Sequence, residues 1–460
     1  VIRSYISLAG ATIALISLVC ILLLFLVDLT REAENPYFGV VTYMILPSFL
    51  ILGLIIVGFG MIRERRRRRR DPDSKIPEFP QIDFNQPRQR RIAATLIGLT
   101  LLFVFASGFG SYKAYEYTES VAFCGQTCHT VMKPEFVAFN VAPHARLKCV
   151  NCHVGSGAAW YARSKLAGTR QLVALVLGNF SRPIPTPVHN LRPADQTCGQ
   201  CHWADKFHGS KLKSFTHYGY DEKNSLRQQK MLLRVGGGNP EAGVVDGIHW
   251  HMNLANEVSF ISTDEQRQSI PWIRVKDHQG NVTEYYDRTR PLTAEQIQSS
   301  TRRRMDCVDC HNRPTHIYQP PDFAVDQSLA AGRLDPSLPY LKRQAVEVLS
   351  KQYNTTGEAV NAIASQLDQF YRTNYAEVYA GKNSAIKAAI GEVQRIFQTY
   401  TFPEMKTDWQ THPNNIGHFY FTGCFRCHDG EHISNTGKVI SNDCELCHTA
   451  IADSATGSGP

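Results

Sequence analysis

Cys124-Gly-Gln-Thr-Cys128-His129, followed shortly by Cys149-Val-Asn-Cys152-His153, puts two thiols and an imidazole into one short turn, twice in succession. Working outward, the pattern recurs as Cys198-Gly-Gln-Cys201-His202, Cys307-Val-Asp-Cys310-His311, Cys424-Phe-Arg-Cys427-His428 and Cys444-Glu-Leu-Cys447-His448. Residues three and four apart share a helix face. One helical turn can therefore offer two thiols to the two vinyl groups of a porphyrin and the adjacent imidazole to its iron. The extra residue in the first motif loosens that turn. A zinc knuckle pairs C-x-x-C with another C-x-x-C or a separated histidine pair. A disulfide framework gives no reason for a histidine after every second cysteine. A chance C-x-x-C-H is expected on the order of 0.01 times in a chain of this composition, and five are present. The pattern predicts six covalently bound haems c, each with its motif histidine as proximal ligand. The thirteenth cysteine, Cys20, lies alone in an apolar run and reads as a small core residue.

An electron-transfer haem needs a second axial ligand. Of the remaining histidines, His144, one of His249 and His251, His316, His418 and His432 read as distal ligands for the second to sixth haems. Met132 suits the first. His189, His208, His217, His278 and His412 are reserves, expected to be unliganded.

Ahead of the first motif lie three uncharged apolar stretches, 6–27, 40–62 and 92–110. Each approaches the roughly 20 residues that span a bilayer as a helix. The formal charge is +8, and much of the excess falls between Arg63 and Arg91, flanked by apolar spans. That placement reads as a topology signal and not as a nucleic-acid-binding arm. The Arg-rich loop 63–91 is expected in the cytoplasm and everything beyond about residue 111 outside, the compartment that covalent haem attachment requires.

The expected fold is mainly α with little regular structure: a three-helix membrane anchor (1–111), a three-haem domain (112–205), an insertion with a small β-hairpin (206–300) and a C-terminal three-haem region (301–460) with a helical scaffold at 340–400. Between residues 112 and 151 regular structure should be sparse, because porphyrin supplies much of the core. Segments 158–178, 357–380 and 383–400 read as helices, the first on the membrane surface or in the core. Segments 270–276 and 282–287 read as a hairpin. Gly236-Gly237-Gly238 reads as a loop; no helix with Lys-Ser/Thr follows to make a phosphate cradle.

The run 123–154 contains Cys-His-Thr-Val-Met-Lys-Pro-Glu, then Pro-His-Ala-Arg, then Cys-Val-Asn-Cys-His-Val-Gly. It resembles the NapC/NirT family of membrane-anchored multihaem quinol dehydrogenases over residues 112–205. The three spans and extra C-terminal haems are more similar to its larger inner-membrane relatives of the ImcH kind. The resemblance implies oxidation of menaquinol or another quinol near the first haem, with Met132 as a ligand there. Electrons would pass to a periplasmic acceptor such as a soluble cytochrome or complex subunit. Arg163, Lys165 and Glu135 are the charged groups expected near that haem. Two other functions fit the motifs: an electron-transfer subunit that never touches quinone, and a terminal reductase, which would need an open iron.

Overall fold

The computed structural model describes residues 4–29, 46–70, 84–127, 129–154, 158–188, 191–203, 207–237, 246–252, 256–277 and 279–451. They belong to two compact units, Val1–Ser120 with Cys149–Arg170, and Val121–Lys148 with Gln171–Pro460.

The first unit is built on helices Tyr5–Leu29, Leu46–Arg70 and Pro87–Thr118. Two stretches, Tyr5–Leu24 and Leu46–Arg67, are long and apolar enough to cross a membrane. The first two helices pack through small residues. A Cβ on Gly10 would fall 2.7 Å from the Gly53 carbonyl oxygen, and one on Gly53 would fall 2.7 Å from the Ala14 nitrogen. Such contacts let two backbones approach where no hydrophobic effect drives helices together. Arg63 to Arg70 continue the second helix instead of forming loop. Arginine is a good helix former, and cations favour the negative end of the helix dipole. The apolar stretch 92–110 lies within a longer helix that starts on Pro87 at its first turn. That helix runs on to Thr118, so the chain beyond residue 112 is more regular than the sequence reading expected.

The second unit combines two antiparallel sheets with a helical scaffold. Strands β1 (Ser210–Tyr218) and β2 (Leu226–Arg234) form a long hairpin, and β8 (His448–Ile451) pairs with β2, His448 lying opposite Leu233. The other sheet runs β6 (Arg303–Arg304), β3 (Glu257–Ile261), β4 (Trp272–Lys276), β5 (Val282–Asp287) and β7 (His432–Ser434). The expected hairpin is β4–β5, with Ile273 opposite Tyr285, but it is the centre of a five-stranded sheet. The β1–β2 hairpin went unread because Lys211, Lys213, Arg227, Gln228, Gln229 and Lys230 keep much of it exposed and blur the alternation.

The scaffold comprises helices Pro321–Ala330, Leu341–Leu349, Thr356–Asn374 and Asn383–Tyr400. Helix 357–380 breaks at Tyr375, where a separate helix Ala376–Gly381 begins. The scaffold core is made of side chains, among them Val325, Leu338, Leu341, Ile363, Leu367, Val393 and Phe397. Glu392 ties it together, accepting from Ser328 Oγ at 2.7 Å, Arg333 Nε at 2.8 Å and Arg395 Nε at 2.6 Å. Burial alone would raise the Glu392 carboxyl, but the hydrogen bonds from Arg395, Arg333 and Ser328 outweigh it and bring it down to about 2. A depressed carboxyl contributes stability above its unfolded pKa, and that contribution is lost as the pH falls through the folded value. The thermal stability of the scaffold should fall between roughly pH 5 and pH 2, and Glu392→Gln should flatten that acid limb; an unchanged acid limb would contradict the pairing.

Candidate functional site

Each described motif is a turn of helix. Cys149–His153 and Cys307–Cys310 are α-helical; Cys198–Gln200, Gly423–Arg426 and Cys444–Leu446 are 3-10. The turns are closed by backbone bonds from His202 N to Cys198 O at 2.8 Å, His311 N to Cys307 O at 2.7 Å and His428 N to Cys424 O at 3.0 Å. The longer first motif begins in a π-helical turn, Phe123–Thr127, which takes up its additional residue. Gly125 is required there, because a Cβ would collide with the Phe136 ring. Cys128 and the side chain of His129 lie outside the described residues. Met132, half-buried, stands one turn along from His129 on the helix His129–Asn140.

Four motif histidines each face a second imidazole. Ring centroids are 6.2 Å apart for His144 and His202, 6.3 Å for His249 and His311, 5.9 Å for His251 and His428, and 6.0 Å for His418 and His448. An imidazole nitrogen sits about 2 Å from a bound transition-metal ion. Two rings on opposite sides of one iron therefore have centroids about 6 Å apart, the spacing all four pairs share. In five histidines Nδ1 is turned to a backbone carbonyl: His144 to Pro314 O at 3.2 Å, His249 to Val235 O at 3.0 Å, His251 to Ile248 O at 3.0 Å, His428 to Ser441 O at 2.8 Å and His316 to Glu135 O at 2.9 Å. Such bonds fix the tautomer and leave Nε2 as the metal-facing atom.

The contacts that seat His249 come from residues that the motif pattern does not mark. Gly236 and Gly237 adopt positive φ, +49° and +86°, and a Cβ on Gly237 would lie 2.6 Å from the His249 carbonyl oxygen. The glycine run is thus the seat of His249; Gly238 is outside the described residues. Gly237→Ala should displace His249 from its place facing His311; an unchanged spacing of the two rings in a structure of the variant would contradict this role. Phe207 stacks on His249 at 4.5 Å and Phe425, a spacer residue of the fifth motif, stacks on His418 at 4.3 Å.

Spacer residues also join the motifs. Asp309 is buried, and its carboxylate accepts from Arg267 Nη1 at 2.7 Å and Arg303 Nε at 2.8 Å. Asp306 and Asp309 form a capping box around the turn Cys307–Cys310. Arg426 of the fifth motif donates through Nη2 to the Asp309 carbonyl at 2.8 Å and through Nη1 to the Arg267 carbonyl at 2.8 Å. Burial pushes the Cys310 thiol up to about 11 and the Cys427 thiol up to about 12, with Arg426 pulling both back and Cys310 and Cys424 among the thiols that add to the rise. Among the described residues no three His, Cys, Asp or Glu side chains converge as ligands of a bare ion.

Other sequence-read residues take different surroundings. His432 is fully buried on β7 and both ring nitrogens are spent, Nδ1 on Asp429 Oδ1 at 2.9 Å and Nε2 on Ile270 O at 2.7 Å. His217 pairs with Asp326 at 3.3 Å. His412 is buried beside Thr186; burial and then Arg313 hold its ring neutral, with a pKa of about 4. His189 and His278 lie outside the described residues. Glu135 is buried against Arg313 at 3.5 Å and His316 at 3.1 Å. Burial alone would raise its carboxyl, but the charges on Arg313 and His316 bring it below the usual range. Arg163 lies over the Trp160 ring at 5.0 Å, in the first unit; the Lys165 side chain is outside the described residues.

Thiol pairs on single turns, with imidazoles facing one another across the space of one iron, fit covalently held haem and define a c-type cytochrome, carried behind apolar helices that anchor it to a membrane. The chain is 44% identical over 446 residues, 97% of its own length and 87% of the relative's, to "Cytochrome c-type protein ImcH" of Geobacter sulfurreducens (strain ATCC 51573 / DSM 12127 / PCA). It therefore belongs to the ImcH family of c-type cytochromes, as the sequence resemblance anticipated. No family model and no solved structure matches it.

Proposed function

We propose that the chain carries six haems c, oxidises a membrane quinol near the first of them, and delivers the electrons through the others to an acceptor on the periplasmic side of the inner membrane. The observation that carries this reading is the set of four facing imidazole pairs. Two imidazoles close both sides of an iron, which favours electron transfer over substrate binding and so disfavours a terminal reductase. On this reading His144, His249, His251 and His418 are distal ligands, His316 keeps its assignment as one, and Met132 serves the first haem. His432, with both nitrogens engaged, is left as a structural residue.

Two neighbouring sites are joined directly: His249 and His251, from one turn, face His311 and His428, and Arg426 bonds the Asp309 carbonyl. Electrons would pass between the sites at Cys307 and Cys424. The bound haems supply one-electron storage. The protein fixes their spacing, orients their ligands and buries them. The third apolar helix completes the anchor, and the Arg-rich end of the second sets its cytoplasmic side. Arg163, Lys165 and Glu135 remain the groups proposed to serve the quinol. Of these, Glu135 has a second role that its geometry supports, positioning His316.

The purified full chain mixed with a reduced quinol analogue, with no partner present, should show growth of the reduced haem bands. Absence of reduction would overturn quinol oxidation and leave an electron-transfer subunit.

A further inference from the structure

We infer that one 3-10 turn, Ile248–Met252, ligates two different haems at once: His249 the iron held at Cys307, Cys310 and His311, and His251 the iron held at Cys424, Cys427 and His428. The inference rests on the haem reading above and deepens it, because the sequence alone asks for only one of these two histidines.

A 3-10 helix has three residues per turn, so side chains two apart diverge by about 120° and cannot meet one iron from the same side. The rings diverge accordingly. His249 faces His311 with centroids 6.3 Å apart and planes 3° apart. His251 faces His428 with centroids 5.9 Å apart and planes 90° apart. Each ring is pinned from behind, His249 by the Val235 carbonyl and His251 by the Ile248 carbonyl, both at 3.0 Å. Trp250, between them in sequence, packs against the core of Val258, Phe260, Ile270 and Ile273 and anchors the turn. On the proximal side, Arg426 bonds the fifth motif to the Asp309 carbonyl of the fourth. Both sides of the two sites are therefore tied together, by the shared turn on one side and by Arg426 on the other. The ring angles also differ in consequence. Near-parallel imidazoles split the iron orbitals into a rhombic low-spin state, whereas perpendicular imidazoles leave two orbitals nearly degenerate and give a strongly anisotropic one.

The test uses the full-length holoprotein carrying H249A, H251A, both together, or H432N, with carbon monoxide as probe and pyridine haemochrome as the haem count. Each single alanine variant should bind one carbon monoxide per chain above the wild-type level, and the double variant two. H251A should lose one haem's worth of strongly anisotropic ferric resonance signal, H249A one haem's worth of rhombic signal, and H432N neither. A double variant that gains one site only, or an H432N chain that gains one, would overturn the inference. Should the alanine variants fail to accumulate, His249→Met and His251→Met keep six-coordination, and each should add one haem's worth of thioether–iron charge-transfer band to whatever Met132 gives the parent; no gain over the parent in either would count against the assignment. A haem count below six in the wild type contradicts the haem reading instead, so the two failures are separable.

Discussion

Asp309→Ala is expected to destabilise the second unit by roughly 3–5 kcal/mol, the cost of leaving buried charges without their partner. Asp309 is almost wholly buried and is the common acceptor for Arg267 and Arg303, whose side chains are 23% and 32% exposed. Removing the carboxylate strands both guanidiniums and breaks the capping box on the turn that carries Cys307 and Cys310. The partial exposure of the arginines places the effect near the lower end of that range. A fall in Tm of about 5 °C should follow for a unit of this size. Arg303→Ala should cost less, because Arg267 still satisfies Asp309. Equal losses for the two variants, or no change in Asp309→Ala, would remove the carboxylate from its place at the centre of the fourth and fifth motifs. Thermal melts followed by far-ultraviolet circular dichroism measure both.

Phe397→Ala should cost about 3–5 kcal/mol in the helical scaffold. Phe397 is 1% exposed and packs edge-to-face on Tyr353 at 5.5 Å, inside a core with Ile363, Leu367 and Val393. This core contains no haem attachment motif. The variant should therefore melt earlier while its haem spectrum below the transition stays that of the parent. Altered haem bands in the folded variant would show that porphyrin, and not side chains, fills this part of the molecule.

The short turns that carry the thiol pairs were legible in the sequence because thiol spacing and an adjacent imidazole are local properties of one turn. The helix Asn383–Tyr400 and the hairpin β4–β5 were legible for the same reason, each being set by its own periodicity. Ligand pairing was not, because it depends on tertiary approach. His432 and His251 are alike as histidines near a motif in sequence or supply, yet one has both nitrogens bound within the sheet and the other faces His428. The Gly236-Gly237 run reads as a loop in the sequence, but its need for positive φ beneath His249 emerges only when β2 is in place. The scaffold core and the five-stranded sheet were underestimated because haem was expected to replace them. The chain instead builds conventional cores beside its haem-attachment turns.

The most direct measurement is the intact mass of the purified, denatured chain, taken with its pyridine haemochrome. Six thiol pairs with their histidines predict a polypeptide heavier by six haems that survive denaturation and acid–organic extraction. A chain that gives up its haem on extraction, or whose mass falls short by several, would contradict the account.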